Sequence, residues 1–532
     1  MKRWNGWGSE DFFYPMPASA GLYLKKVVGE EKHLEDIKIS EIINKIPESR
    51  IPDHNLITKD LEQRLRHSRG QSLPDWISLR YGSIDMFPDG VSFPISESEV
   101  KEIINYAKSN DFQLIPYGGG SSVVGHINVI TREQPTITVD MSSINSLIDL
   151  DEISHIATFG AGINGPDIEA ILSNRGFRLG HYPQSHEFST LGGWIASRSV
   201  GTQSYYYGRI EDLFLGGRVI TPSGILELPV FPASAAGPDI RNIVLGSEGR
   251  LGFITKASVR ISPIPEYEGF YAIYFPNWNV AFNAIREIVQ SRIYVSMLRL
   301  LDSSETETTL QLAGKEKLVS LANKGLRLFG IGPEKCLVLF GLTGSKASTQ
   351  LAYRQVKSIA HKFSGFIDRF FTGKLWYKSR FTTPYLRNTL WDYGYALDTL
   401  ETAFSWSKAA SVLKEIENSL EKCLLEENEK TLVFGHLSHM YSIGASLYIT
   451  YIFRRTKDPD ITLDRWKRLK TAASKIIVKR GGTISHQHGI GTDHAPYLEA
   501  EKGECGMKLI RSAIKALDPE LMMNRHKLIG DL

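Results

Sequence analysis

A chain of 532 residues, 42% of them hydrophobic, is long enough for two or three domains with complete cores, which excludes the disordered and fibrous classes. The net charge of +3 arises from scattered residues, so there is no electrostatic footprint for nucleic acid, while a weak attraction to anionic lipid surfaces stays open. Cys336, Cys423 and Cys505 lie far apart and in no Cys/His ligand spacing, which argues against zinc and disulfide frameworks and for a reducing compartment.

In chain order, the opening MKRWNGWGSEDFFYPM has two basic residues but no apolar run behind them, so no secretory signal is expected. From Ile37 to Arg69 apolar residues recur at three- and four-residue intervals, and the spacing predicts a helical region over 1–84. From Gly90 short β-branched runs alternate with helices, as in VSFPIS, QLIPYGGGSS and TITVDM. Ser96 and Glu99 predict a capping box at the first of those helices. Prolines 263 and 265 predict a boundary, dividing an α+β unit over 85–265 from a second over 266–481. Residues 482–532 read as mostly helix, ending in LDPELMMNRHKLI. No run reaches the roughly 18 apolar residues of a spanning helix. The final KLIGDL lacks a peroxisomal ending, so a cytoplasmic location is expected, with peripheral membrane contact open.

Three glycine-rich blocks adjoin strands: PYGGGSSVVG, then SHEFSTLGGWIASRSVG, then GSEGRLG. Each is a flexible turn on the plainest reading. Together they suit one extended phosphate-bearing ligand, because glycine lets backbone N–H groups approach an anion. None is GxGxxG, which disfavours a Rossmann nicotinamide site.

GGGSS, FSTLGGW, YGRIEDL, GPD and GSEGRLG resemble the vanillyl-alcohol-oxidase (PCMH-type) FAD-binding fold, and within it the alkyldihydroxyacetonephosphate synthase family, flavoenzymes that form the ether bond of ether lipids. The resemblance takes in WNGWG and runs from Arg64 to Leu528 through MLRLLD, YLRN, LETAFSW, GASLY and HGIG. It implies a two-subdomain FAD-binding domain, an α+β substrate (cap) domain, and helical segments at both ends. It also implies FAD contacts from Pro116, Tyr117, Gly118, Gly119, Gly120, Ser121 and Ser122; from Gln184, Ser185, His186, Glu187, Phe188, Ser189 and Thr190; from Ser197, Arg198, Ser199 and Val200; and from Glu248, Gly249, Arg250, Leu251, Gly252, Phe253 and Ile254. Ser121 stands where many relatives carry a histidine bonded to the flavin, so the FAD is expected to be non-covalent. Gln184 replaces an expected aspartate.

Tyr448 falls on the family's catalytic tyrosine, and a buried phenol beside a flavin can give or take a proton. In HQHGIG the resemblance makes His488 the proton-handling residue and His486 a supporting one, with Gln487 replacing the middle histidine of the family's run. Arg387 in YLRN matches a substrate-binding arginine, suited to a phosphate by its fixed, paired donors. Arg299, flanked by leucines, is implied to be catalytic, its structural alternative being a buried salt bridge, with Asp302 as the candidate partner. His436 and His439 depart from the eukaryotic synthases and are candidate substrate contacts. The implied reaction replaces the acyl group of acyl-dihydroxyacetone phosphate by a fatty alcohol, with FAD as an electron sink and no net redox change. The alternative is an FAD-linked oxidoreductase of a 2-hydroxy acid such as lactate or glycolate. A homodimer is expected.

Overall fold

The computed structural model describes residues 1–30, 32–131, 133–312 and 316–530. The first sheet has the order β1-β2-β4-β3, made of β1 (Ile57–Thr58), β2 (Gly90–Ser92), β3 (Gln113–Tyr117) and β4 (Thr136–Asp140). β4 is paired in parallel on both sides and is buried at every position, which is why TITVD shows no polar alternation. The helix Glu97–Asn110 begins at Ser96, whose hydroxyl accepts from the Glu99 N–H at 3.3 Å. The Glu99 carboxylate accepts from Ile95 N–H rather than Ser96 N–H, so the predicted box closes one residue early. The helical pattern of the N-terminal segment resolves into short helices, and Ile57–Thr58 between them joins the first sheet as its edge.

An antiparallel second sheet, β5-β6-β9-β7-β8, comprises β5 (Leu147–Asp151), β6 (Ile156–Gly160), β7 (Phe214–Thr221), β8 (Gly224–Leu228) and β9 (Phe253–Arg260). The third is a seven-stranded antiparallel sheet, β13-β10-β12-β11-β15-β16-β14. Its strands are β10 (Tyr267–Phe275), β11 (Met297–Leu301), β12 (Cys336–Gly344), β13 (Phe366–Asp368), β14 (Tyr395–Ser405), β15 (Leu432–Tyr441) and β16 (Gly444–Arg454).

Alternation sorts β14–β16 into two faces. Ala396, Leu400, Leu447, Ile449, Tyr451 and Phe453 point into the main core with Val412, Leu413 and Ile416 of the helix Trp406–Lys422 and Leu469, Ala473 and Ile477 of the helix Pro459–Arg480. The other face carries Thr399, Glu401, His436 and Tyr448. The register places His436 opposite Tyr448, and Tyr448 opposite Glu401. Gly481 ends the helix Pro459–Arg480 in the left-handed region (φ +71°), which turns the chain toward HQHGIG.

The helix Leu498–Leu517 breaks at Gly503 (φ +67°). Beyond it, LDPELMMNRHKLI is irregular rather than helical: the Asp518 carboxylate caps Met522 and Met523 N–H, and Asn524 N–H donates to Leu114 O at 2.7 Å. At the other end WNGWG forms a strap. Trp7 exchanges both backbone hydrogen bonds with the Asn388 side chain (3.1 and 2.9 Å), and Gly8 (φ +82°) lies so close to the Tyr385 ring that a Cβ would overlap it. Among the described residues, no helix is long and apolar enough to cross a membrane.

Candidate active site

A cavity of about 460 Å³ runs between the glycine-rich loops and the polar face of the third sheet. Its loop end is lined by Pro116, Tyr117, Gly118, Gly119, Gly120, Ser121 and Ser122, by Gln184, Ser185, Ser189 and Thr190, by Ser197, Ser199 and Val200, and by Glu248, Gly249, Gly252, Phe253 and Ile254. The glycines are required by contact. A Cβ on Gly118 would strike the Thr190 side chain, one on Gly119 the Phe188 carbonyl, and one on Gly120 the Tyr117 ring. Gly120 (φ +63°) and Gly249 (φ +76°) also hold left-handed conformations. The result is a cradle with little side-chain bulk, which fits the extended pyrophosphate of FAD. Lys2 of the strap donates to Gly119 O, and burial brings its ammonium pKa down to about 8.

Six residues implied as FAD contacts do not line the cavity. His186 stacks between Trp194 and Phe381, where burial brings its pKa down to about 4. Glu187 accepts from the Tyr385 hydroxyl at 3.2 Å, and Phe188 meets Trp7 edge-on. Arg198 (φ +56°) pairs with Glu211 at 3.2 Å. Arg250 is buried and donates to Met523 O, and Leu251 belongs to the core under the second sheet. These six side chains point away from the cavity, into packing or ion pairs of their own, while their neighbours on the same loops line it.

Glu248 has a second task. Held at φ +52°, its carboxylate accepts from Ile490 and Gly491 N–H (2.5 and 2.8 Å) and pairs with His126 at 3.1 Å. It thereby ties the third glycine block to the turn that carries His488.

At the sheet end, Arg299, His436, Tyr448, Arg387 and His488 line the same cavity. The salt bridge of Arg299 is to Glu305 (3.1 Å), not Asp302, whose carboxylate instead accepts from Glu305 and Gly435 N–H. His436 Nδ1 lies 2.7 Å from Glu305 Oε2 and 3.1 Å from Arg299 Nη2. The arginine only donates and the carboxylate only accepts, so the shorter contact assigns the Nδ1 proton to Glu305. Burial pushes the Glu305 pKa up, but His436 and Arg299 outweigh it and leave it below the usual range. Burial, then Arg299, lowers that of His436.

His436 stacks on the Tyr448 ring with centroids 4.8 Å apart and planes 14° from parallel, while His488 meets that ring edge-on at 5.7 Å. The Tyr448 hydroxyl donates to Thr399 Oγ1 at 3.1 Å, and burial pushes its pKa up to about 12. Burial also lowers the His488 pKa, with Glu401 opposing. Arg387 lies over the Trp76 ring at 4.2 Å and gives one N–H to Gln71 O. Its Nε and Nη2 are buried with no hydrogen-bond partner among the described residues. Two unsatisfied guanidinium donors at a cavity wall fit an anion.

His486 and His439 are not in the lining. A bulge in β15 between Leu437 and Met440 shifts the register, and His439 stacks on His486 at 5.2 Å behind the cavity wall. The sequence reading missed Trp7, Glu305, Thr399 and Glu401. The last two had a signal: polar residues at alternate positions in the apolar strand TLETAF.

The FAD binding domain family matches residues 88–228, and the family of FAD linked oxidases, C-terminal domain, matches residues 264–528. The chain is 30% identical to alkyldihydroxyacetonephosphate synthase of Dictyostelium discoideum, over 99% of this chain and 93% of that protein. It is 25% identical to the mitochondrial cytochrome D-lactate dehydrogenase 1 of Saccharomyces cerevisiae, over 95% and 81%. A solved alkyldihydroxyacetonephosphate synthase structure superposes with a TM-score of 0.83 at 27% identity, covering 98% of both chains. The α+β fold is thus that of the PCMH-type FAD-binding proteins, and FAD is the cofactor. The chain belongs to the alkyldihydroxyacetonephosphate synthase family.

Proposed function

We propose that the protein replaces the acyl group of acyl-dihydroxyacetone phosphate by a long-chain fatty alcohol. The observation that carries this reading is the make-up of one cavity. The unpaired Arg387 donors occupy the same chamber as an apolar wall of Leu312, Leu386, Leu390, Leu397, Phe434 and Ile452, with Tyr448 and His488 also lining it. A phosphate head with a long chain uses both features; a lactate-sized acid has no use for the second. When bound, FAD supplies the electron sink for exchange at C1.

In this reading Arg387 holds the phosphate. His488, kept neutral by burial, accepts a proton, and Tyr448, kept neutral by its raised pKa, donates one. The pair Arg299–Glu305 fixes His436 against the Tyr448 ring and so fixes the phenol. The test is stoichiometry without oxygen or an electron acceptor: one fatty acid released per ether formed supports the reading, and product that requires an acceptor overturns it. Because Ser121 replaces the histidine of covalent relatives, acid denaturation of the holoprotein is expected to release all yellow flavin into the supernatant. Flavin retained in the pellet contradicts a non-covalent site.

Peripheral contact with a lipid surface is part of the proposal. Phe370, Phe371 and Leu375 are exposed, the first two 66% and 79%, beside exposed Lys374 and Lys378 on the helix Thr372–Ser379. Apolar tips among lysines suit an anionic interface. Phe370→Ser/Phe371→Ser is expected to weaken cosedimentation with phosphatidylserine-containing vesicles about 10-fold or more. Unchanged cosedimentation removes this patch.

A further inference from the structure

Glu401 is fully buried on β14, in register with Tyr448. Its Oε1 accepts from the N–H groups of Gln487 and His488, the latter at 2.7 Å. Its Oε2, His486 Nδ1 and His488 Nδ1 are all buried with no hydrogen-bond partner among the described residues. These atoms face one another: His486 Nδ1 lies 3.7 Å from Oε2, and His488 Nδ1 4.0 Å from Oε1. Such gaps are too long for direct hydrogen bonds and are the kind a bridging water closes. A buried carboxylate oxygen and two imidazole nitrogens left unpaired would each carry a desolvation cost, so a shared polar partner is called for.

The outer end of the chain fixes the proton positions. Arg209 Nη1 donates to the Tyr441 hydroxyl at 3.2 Å, and Tyr441 lies 2.6 Å from His486 Nε2. A guanidinium has only donors, so the phenol accepts from Arg209 and keeps its own proton available for Nε2. That arrangement puts the His486 proton on Nδ1, aimed at Glu401. The same carboxylate favours Nδ1–H in His488, leaving Nε2 as the basic nitrogen. Tyr441 is half-buried, and Arg209 and Glu211 beside it are each 21% exposed, so the chain ends at solvent.

We propose that Glu401 is a positioning residue that sets the tautomers of His488 and His486 and, through a buried water, links them into a proton path from the cavity to Tyr441 at the surface. This rests on the transferase reading, whose balance releases a proton that such a path can carry. An ester and an alcohol become an ether, a carboxylate and one proton: the C1–O(acyl) bond breaks, the C1–O(alkyl) bond forms, the acyl oxygen leaves with its electron pair, and the alcohol's proton must leave the cavity at every turnover. His488 receives that proton and Glu401 passes it outward, with no oxidant or reductant involved.

Glu401→Gln tests this in the holoenzyme, because the amide oxygen still accepts from the 487 and 488 N–H groups while the carboxylate is lost. The expected result is a kcat about 10- to 100-fold lower, KM and flavin content within about twofold of wild type, and several-fold recovery on adding imidazole. Tyr441→Phe, at the outer end, is expected to lose less and to be rescued likewise. In ¹⁵N-histidine spectra His486 and His488 are both expected in the Nδ1–H tautomer in the wild type, and in Glu401→Gln, where the amide NH2 takes the place of Oε2, His486 is expected to lose it. If Glu401→Gln fails to fold, Tyr441→Phe and the wild-type tautomers decide. A Glu401→Gln enzyme at wild-type kcat, a loss that imidazole leaves untouched, or an Nε2–H His488 in the wild type overturns the proposal. Absence of ether product from the wild type sinks the transferase reading instead, while the tautomers still report on Glu401.

Discussion

Tyr448→Phe is expected to lower ether-forming turnover about 10²- to 10⁴-fold while fold and flavin content survive. The ring stays in its slot, stacked on His436 and met edge-on by His488. Only the hydroxyl is deleted, and with it the bond to Thr399 Oγ1, a stability loss of about 1 kcal/mol. His488→Ala is expected to lose a comparable factor. The two side chains touch and serve one transfer path, so the double variant should be scarcely slower than the poorer single. The measurement is turnover of all four proteins at equal flavin occupancy. Near-normal turnover of Tyr448→Phe would make the tyrosine a core residue, and multiplicative losses would separate the two residues into independent steps.

Arg387→Ala is expected to weaken binding of the phosphorylated substrate by about 2 to 5 kcal/mol, roughly 30- to 4,000-fold, with flavin affinity little changed. Its guanidinium is held over Trp76 and tethered by one N–H to Gln71 O, so the remaining donors are pre-aimed and pay little entropy on binding. Arg387→Lys should recover only part of the loss, since an ammonium supplies charge without the paired planar donors or the stacking. Titration with substrate and with a phosphate-free analogue checks both points. Equal affinities of wild type and Arg387→Ala for the phosphorylated ligand would remove this residue from the site.

Glycine spacing and the family motifs point to the loops that line one end of the cavity, because a backbone cradle leaves its mark as missing side chains. The alternating strand GASLYITYIF likewise marked Tyr448, whose polar face and apolar face the register then separates. What sequence could not supply was long-range pairing. Arg299 meets Glu305 rather than Asp302 because the helix Ser303–Leu312 places Glu305 one turn further on, while Asp302 caps that helix from its start. His436 and His439 are an odd number of positions apart, so alternation alone would not put both in the cavity, and the bulge in β15, which no local pattern announces, sets His439 against His486 outside the lining. The predicted helix at LDPELMMNRHKLI fails for a local reason: Pro519 lacks an N–H and Asp518 takes the next free donors, so the segment instead crosses to the first sheet.

Ether formation in this cavity without net redox change is read out by giving the purified holoprotein palmitoyl-dihydroxyacetone phosphate with hexadecanol and, separately, D-lactate with an artificial electron acceptor, and following product mass and flavin absorbance in both. The expected result is hexadecyl-dihydroxyacetone phosphate from the first mixture and no acceptor reduction in the second. Flavin bleaching by D-lactate with turnover of the acceptor, and no ether from the first mixture, would contradict it.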